Sequence, residues 1–220
     1  MTDFSVLRQR MVDNQIRTSE VTDREVLDAF LSVPRELFVD PAERPFAYAE
    51  RELKMSAAAP DRRMIDPVRL ARLVHSLPRG PGVKAMVVGC GSGYSAAILA
   101  RLAGSVVVVE QDKVLADLAR TNLAAAGAAN VTIVEAKLVD GCLEAGPYRA
   151  ILMDGAVEYV PDALLSQLAP SGVLATIERD GSVSRAMLYE RVGQDTTKWP
   201  LFDAWATLLP GFERRREFVF

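Results

Sequence analysis

The stretch Ala85–Ala100, AMVVGCGSGYSAAILA, constrains the fold more than any other part of the chain. A run of apolar residues breaks into glycines at alternate positions, Gly89, Gly91 and Gly93, and resumes at Tyr94 in a helical pattern of small and apolar residues. At a strand-to-helix turn, glycine permits positive φ and lets a ligand approach the backbone. The helix that follows offers free N–H groups and the positive end of its dipole, which suits a phosphate or an amino-acid carboxylate. The next strand, Ser105–Val109, ends in Glu110, where an acid can accept hydrogen bonds from two ribose hydroxyls. Strand, glycine turn, helix, strand and acid together describe a nucleoside-binding crevice; the glycines alone would not. A dinucleotide is one occupant to weigh, because Gly91-Ser92-Gly93-Tyr94-Ser95-Ala96 satisfies the alanine form of G-x-G-x-x-G. Counting from Gly89 instead puts Tyr94 where the third small residue belongs.

From Lys84 onward, short β-branched runs alternate with helical patterns. KAMVVG precedes a helix at Tyr94–Leu102, SVVVVE precedes one at Lys113–Ala125, and NVTIVE, RAILMD and GVLATIE follow, with a further helix at Pro161–Leu168. Continuous apolar strands separated by helices predict a mostly parallel sheet covered on both faces, an α/β doubly wound fold. The tail from Leu188 holds strand-like pieces such as REFVF, expected to complete one edge of the sheet. Residues 1–66 read as a helical N-terminal extension and a loop region, and 67–220 as the α/β core of one domain. In the extension, apolar residues recur over Phe4–Ile16. A capping box at Thr22 and Glu25 predicts a helix to about Leu31, ended by Pro34. Residues 40–65 read as loop, and Asp66-Pro67 restarts a helix to Leu77.

Composition narrows the chemistry. A net charge of −3 gives no basic field for nucleic acid, and Glu213-Arg214-Arg215-Arg216-Glu217 reads as a solvated face. Cys90 and Cys142 lack metal or redox spacing, and His75 is the only histidine, so no metal site is expected. No signal peptide or membrane-length apolar run is visible, which makes a reducing cytoplasm the expected compartment.

The run VVGCGSGY resembles the first motif of class I S-adenosylmethionine (SAM) methyltransferases. The resemblance widens to the protein-L-isoaspartate O-methyltransferase family. MVDNQIRTSEVTDREVLDAFLSVPRELFVD (Met11–Asp40) is similar to its N-terminal helices, Ala47-Tyr48 with Arg51 to the approach to its catalytic loop, and PDALLSQLAPSGVL (Pro161–Leu174) to its fifth-strand region. The resemblance covers roughly residues 10–178. It implies a Rossmann-like SAM fold with cofactor contacts at Gly89, Cys90, Gly91, Ser92, Gly93, Tyr94, Glu110 and Gln111. Glu135 and Asp140 are the alternatives for the acid that faces the adenine. The implied partner is a protein or small-molecule carboxylate acceptor.

The chain also departs from that pattern. The family's substrate loop has the form G-x-G-x-x-x-S-x-P, whereas this chain reads KMSAAAPDRRMIDP, without either glycine. Ile65 falls where the family's Ser stands and Arg63 where its Thr stands. The acid usually found two residues before the first motif glycine is Val87, and the family's G-D-G falls, without gaps, on Ala136-Lys137-Leu138. In partial compensation, Asp154 ends the fourth strand where the family usually has Thr, at a turn with Gly155. Arg62 and Arg63 are candidates to clamp an acceptor carboxylate, and Asp154 to orient a donor or take a proton. Three readings stay open: a carboxyl methyltransferase, a SAM-binding pseudoenzyme without isoaspartyl activity, and a nicotinamide-dependent oxidoreductase.

Overall fold

A computed structural model describes residues 3–214. REFVF, expected at the sheet edge, lies outside the described residues, as do Arg215 and Arg216. Helix α1 (Phe4–Met11) runs on as a π-helical turn to Ile16, and α2 spans Arg24–Ser32. Asp23, not Thr22, caps α2: its carboxylate accepts from Val26 N at 3.2 Å and also pairs with Arg79. A charged acceptor at the N-cap suits the helix dipole better than a hydroxyl.

The stretch expected to be loop contains a small hairpin, β1 (Leu53–Lys54) with β2 (Arg63–Met64), paired antiparallel. Helix α3 (Pro67–His75) then starts at the Asp66 cap, which accepts from Val68 N and Arg69 N.

Among the described residues the main sheet has seven strands: β3 (Gly80–Val88), β4 (Ala103–Glu110), β5 (Val131–Glu135), β6 (Tyr148–Val157), β7 (Leu168–Asp180), β8 (Val183–Val192) and β9 (Asp195–Asp203). Their spatial order is β5-β4-β3-β6-β7-β8-β9. The first five of these run parallel, and β8 and β9 add antiparallel hairpin strands at one edge. Pro200 lies on β9, the outer strand among the described residues, beside the register shift at Ala186 and Met187; edge strands and bulges are where sheets tolerate proline.

Helices α4 (Tyr94–Leu102) and α5 (Lys113–Ala125) match the sequence reading. Only Asp162–Leu165 (α6) of the expected Pro161–Leu168 helix is helical, because Leu168 is drawn into β7 beside Tyr148. Side chains alternate across the sheet. Ala85 and Val87 join a core built with α1 to α5, while Met86 and Val88 face a second core with Leu138, Leu164, Leu209 and Phe212. Burial on both faces explains why these strands read as unbroken apolar runs.

Chain order reverses at β3, which has β4 on one side and β6 on the other. The crevice at the carboxyl ends of these strands is where ligands of open α/β sheets bind.

Candidate active site

Gly89, Gly91 and Gly93 have φ of +75°, +56° and +102°, values that an L side chain rarely adopts. The loop they form is pinned from outside. Asn122 Nδ2 donates to Ser92 O at 3.1 Å, and Ser92 Oγ donates to the Phe38 carbonyl. Tyr94 opens α4, but its ring turns into the helical layer against Phe30, Phe38 and Arg35. As a cofactor contact it therefore offers backbone, not its phenol. Cys90 is also wholly buried, and desolvation pushes its thiol well above the ordinary range.

Glu110 is completely buried at the end of β4. Its carboxylate accepts from Gly91 N at 2.9 Å, Gln111 N at 3.0 Å and Asp112 N at 3.1 Å. Arg62 completes its shell, with guanidinium nitrogens 2.9 and 3.0 Å from the two oxygens and a further bond to Gly89 O at 3.0 Å. This corrects the expectation that Arg62 is a free clamp for an acceptor. It is buried and committed to the acid, because neither charge could be taken from water alone. Arg63 lies half-buried on β2, opposite Lys54.

Glu135 is the cross-strand neighbour of Glu110 and pairs with Arg120 at 2.7 Å. Asp140 is exposed on the turn Leu138–Asp140, and its carbonyl accepts from Gln167. Gln111 Oε1 accepts from Leu138 N at 3.3 Å, so it links β4 to that turn. A cavity of about 600 Å³ opens beside these groups, lined by Ala59, Pro60, Asp61, Gln111, Asp112 and Leu208.

Asp154 is not in a turn, since β6 continues to Val157. Leu152 pairs with Ala175 and Ala156 with Ile177, so β6 bulges around Asp154 and Gly155. Its carboxyl is buried, accepts from Ser95 Oγ and is pushed up to about 6 by desolvation, against the opposing Ser95 hydrogen bond and the charges of Arg62 and Arg35. Ile65, at the position where the family pattern has Ser, is a core residue whose carbonyl accepts from Arg35 at 2.7 Å.

Two contacts escaped the sequence reading. Met55 Sδ lies 3.3 Å from Ser92 N. Leu209 packs so closely that a Cβ on Gly89 would stand 2.8 Å from it, and one on Gly155 2.6 Å. Met55 follows Lys54 in the loop stretch, but nothing in a lone Met signals a crevice. Leu209 lies in the tail, where no motif fixes the register.

The donor set suits a nucleoside cofactor with an amino-acid tail: a glycine loop on a helix N-terminus, an acid at the end of the second parallel strand, and polar groups beyond it. The chain's own Arg62 and Met55 also engage that set.

Comparison with known proteins agrees with this geometry. The family model for protein-L-isoaspartate(D-aspartate) O-methyltransferase matches residues 6–199. A protein-L-isoaspartate O-methyltransferase of Methanoregula boonei is 38% identical over 197 residues, covering 84% of this chain and 89% of that one. Protein-L-isoaspartate O-methyltransferase 1 of Rhodopseudomonas palustris is 32% identical over 221 residues, covering 95% and 89%. A solved protein-L-isoaspartate O-methyltransferase superposes with a TM-score of 0.82 at 21% identity over 93% of this chain, which spans 66% of that protein. A Plasmodium falciparum protein of that kind, in complex with S-adenosyl-L-homocysteine, gives 0.74 at 20% identity over 95% of this chain and 99% of its own. Among the described residues, no helix is long and apolar enough to cross a membrane.

Proposed function

The chain belongs to the protein-L-isoaspartate(D-aspartate) O-methyltransferase family, a family of SAM-dependent methyltransferases, and from that premise we propose that it transfers a methyl group to a carboxylate oxygen. The observation that carries this reading is the joining of the acid to the glycine loop, Gly91 N to Glu110 at 2.9 Å, at the switch point of the sheet. Bound SAM supplies an electrophilic methyl group on a positively charged sulfur.

The residues of the chain divide the work of holding and aligning. The backbone of Gly89–Gly93 and the N-terminus of α4 receive the amino-acid portion, and Glu110 receives the ribose. Gln111, with Glu135 or Asp140, borders the adenine. An acceptor carboxylate has a pKa near 4 and is ionised at neutral pH, so no general base is needed. Alignment then does most of the catalysis, a contribution of roughly 7–11 kcal/mol in favourable cases. The acceptor belongs between the hairpin loop and the β6 bulge. There Arg63, on β2, is the arginine not committed to Glu110, and Asp154 orients a donor group of the acceptor.

The acceptor itself differs from an ordinary isoaspartyl peptide. A core Ile65 cannot supply a hydroxyl to an isoaspartyl carboxylate. Radiolabelled methyl transfer to an isoaspartyl peptide, beside a relative of the family, tests this. We expect turnover far below the relative's. Equal turnover would show that the loop does not set the acceptor. S-adenosylhomocysteine binding without transfer to any carboxylate tried would favour the second reading, a cofactor-binding chain without methyl-transfer activity, which the altered loop supports.

A further inference from the structure

The hairpin that carries the substrate loop is closed by Lys54↔Arg63, so Met55–Arg62 is an eight-residue loop on a paired stem. Its first and last residues both reach into the crevice. Met55 places its thioether on the glycine loop, 3.3 Å from Ser92 N, and a Cβ on Gly91 would stand 2.2 Å from that sulfur. Arg62 holds both oxygens of Glu110 and the carbonyl of Gly89. Counting the amides of Gly91, Gln111 and Asp112, Glu110 accepts five hydrogen bonds. A carboxylate has about four lone-pair sites, so no capacity is left for a ribose hydroxyl; loss of the two Arg62 bonds leaves the three amides and frees about one site. The contacts taken are those assigned above to the amino-acid tail and the ribose of the cofactor.

Between the two anchors the loop is light. Ala57, Ala58, Pro60 and Asp61 are exposed, and only Ala59 adds an apolar contact. The stem is tied down independently, by Leu53 and Met64 in the core and by the Ile65 carbonyl on Arg35. Withdrawal of the loop therefore breaks two side-chain anchors and the small Ala59 contact, and leaves the stem in place.

We propose that Met55–Arg62 is an intramolecular competitor of the methyl donor, a strap that must withdraw Met55 from Gly91 and Arg62 from Glu110 before SAM binds. The inference rests on the cofactor reading above. A ligand that binds only the withdrawn form has its affinity reduced by the fraction of molecules in that form. By linkage, the ligand in turn drives the strap out.

Calorimetry with S-adenosylhomocysteine on the wild-type chain and on Arg62→Ala is the test. We expect the variant to bind at least tenfold tighter. Equal or weaker binding by a folded Arg62→Ala, with the wild type binding, overturns the strap and leaves the cofactor reading intact. If neither folded protein binds at millimolar ligand, the cofactor reading falls and the strap with it. Should the variant not fold, hydrogen–deuterium exchange on the wild type decides. Added S-adenosylhomocysteine should raise uptake over residues 55–62, and unchanged or lowered uptake refutes the proposal.

Discussion

Asp154 on β6 and Ser95 in the first turn of α4 are joined by a hydrogen bond from hydroxyl to carboxyl, while the other carboxyl oxygen, Oδ1, is buried without a partner among the described residues. A strand bulge aims the acid at the start of the helix that follows the glycine loop, so the two elements that bound the crevice are tied directly. One oxygen is served and the other is not, which is the physical origin of the raised pKa: burial penalises the anion more than one hydrogen bond and two nearby arginines relieve it.

That imbalance gives a pH signature. The carboxyl goes from an ordinary 3.8 to about 6 on folding. Between those values the native state holds a proton that the unfolded chain has released, so stability falls as pH rises through the window. The displacement corresponds to roughly 3 kcal/mol at most. Asp154→Asn keeps an acceptor for Ser95 and does not titrate. Its stability relative to wild type should therefore improve by about 2–3 kcal/mol between pH 4 and pH 7. Urea denaturation at several pH values measures this; a gap that does not change with pH would mean that Asp154 is not held in the neutral form.

Arg35 is fully buried and acts as a tie between segments. Its Nε donates to Ala47 O at 2.9 Å, a terminal nitrogen donates to Ile65 O at 2.7 Å, and its Cζ lies over the Tyr94 ring, 4.6 Å from the centroid. A lysine cannot reproduce that fork or the stacking. Arg35→Lys should cost about 2–4 kcal/mol, from carbonyls left without donors and a buried ammonium. Equilibrium unfolding checks it, and a loss below about 1 kcal/mol would show that water replaces the lost bonds.

Some of this was legible in the sequence and some was not. Gly89, Gly91, Gly93 and Glu110 stand out because backbone conformation and strand ends impose a residue type locally. The limits of α4 and α5 are legible for the same reason, since Gly93 and Asp112 mark their starts. Arg62 was visible as a cation but not as the partner of Glu110, 48 positions away, because only the hairpin stem brings the two together. Met55 and Leu209 carried no local signal at all, since an apolar side chain looks the same in a core and in a crevice. The shortening of α6 was hidden too, because Leu168 fits a helix face or a strand equally well until Tyr148 lies beside it.

Glu110 should prove costly to neutralise. Its pair with Arg62 is bidentate and almost wholly desolvated, with 9% and 0% of the side chains exposed. Glu110→Gln leaves the guanidinium buried without its counter-charge, a change worth about 3–5 kcal/mol in comparable sites. Adding Arg62→Leu to Glu110→Gln should recover a large part of that loss, because the uncompensated charge is then gone. Thermal unfolding of the two single variants and the double variant tests this. Losses that simply add would mean that the two charges are not coupled.

The contact between Met55 and Gly91 gives a prediction with an internal control. Gly91→Ala meets two separate costs: a positive φ, about 1 kcal/mol for a residue with a Cβ, and a new methyl 2.2 Å from the Met55 sulfur. Backbone strain is intrinsic to position 91 and no change at position 55 can relieve it. Steric conflict is shared, and removing the thioether abolishes it. Gly91→Ala should therefore destabilise the wild type by about 2–3 kcal/mol but a Met55→Ala background by only about 1 kcal/mol, a coupling above the additivity error for independent sites. Chemical denaturation of all four proteins closes the cycle. If the cost of Gly91→Ala is the same in both backgrounds, the Met55 side chain does not rest on the glycine loop in solution.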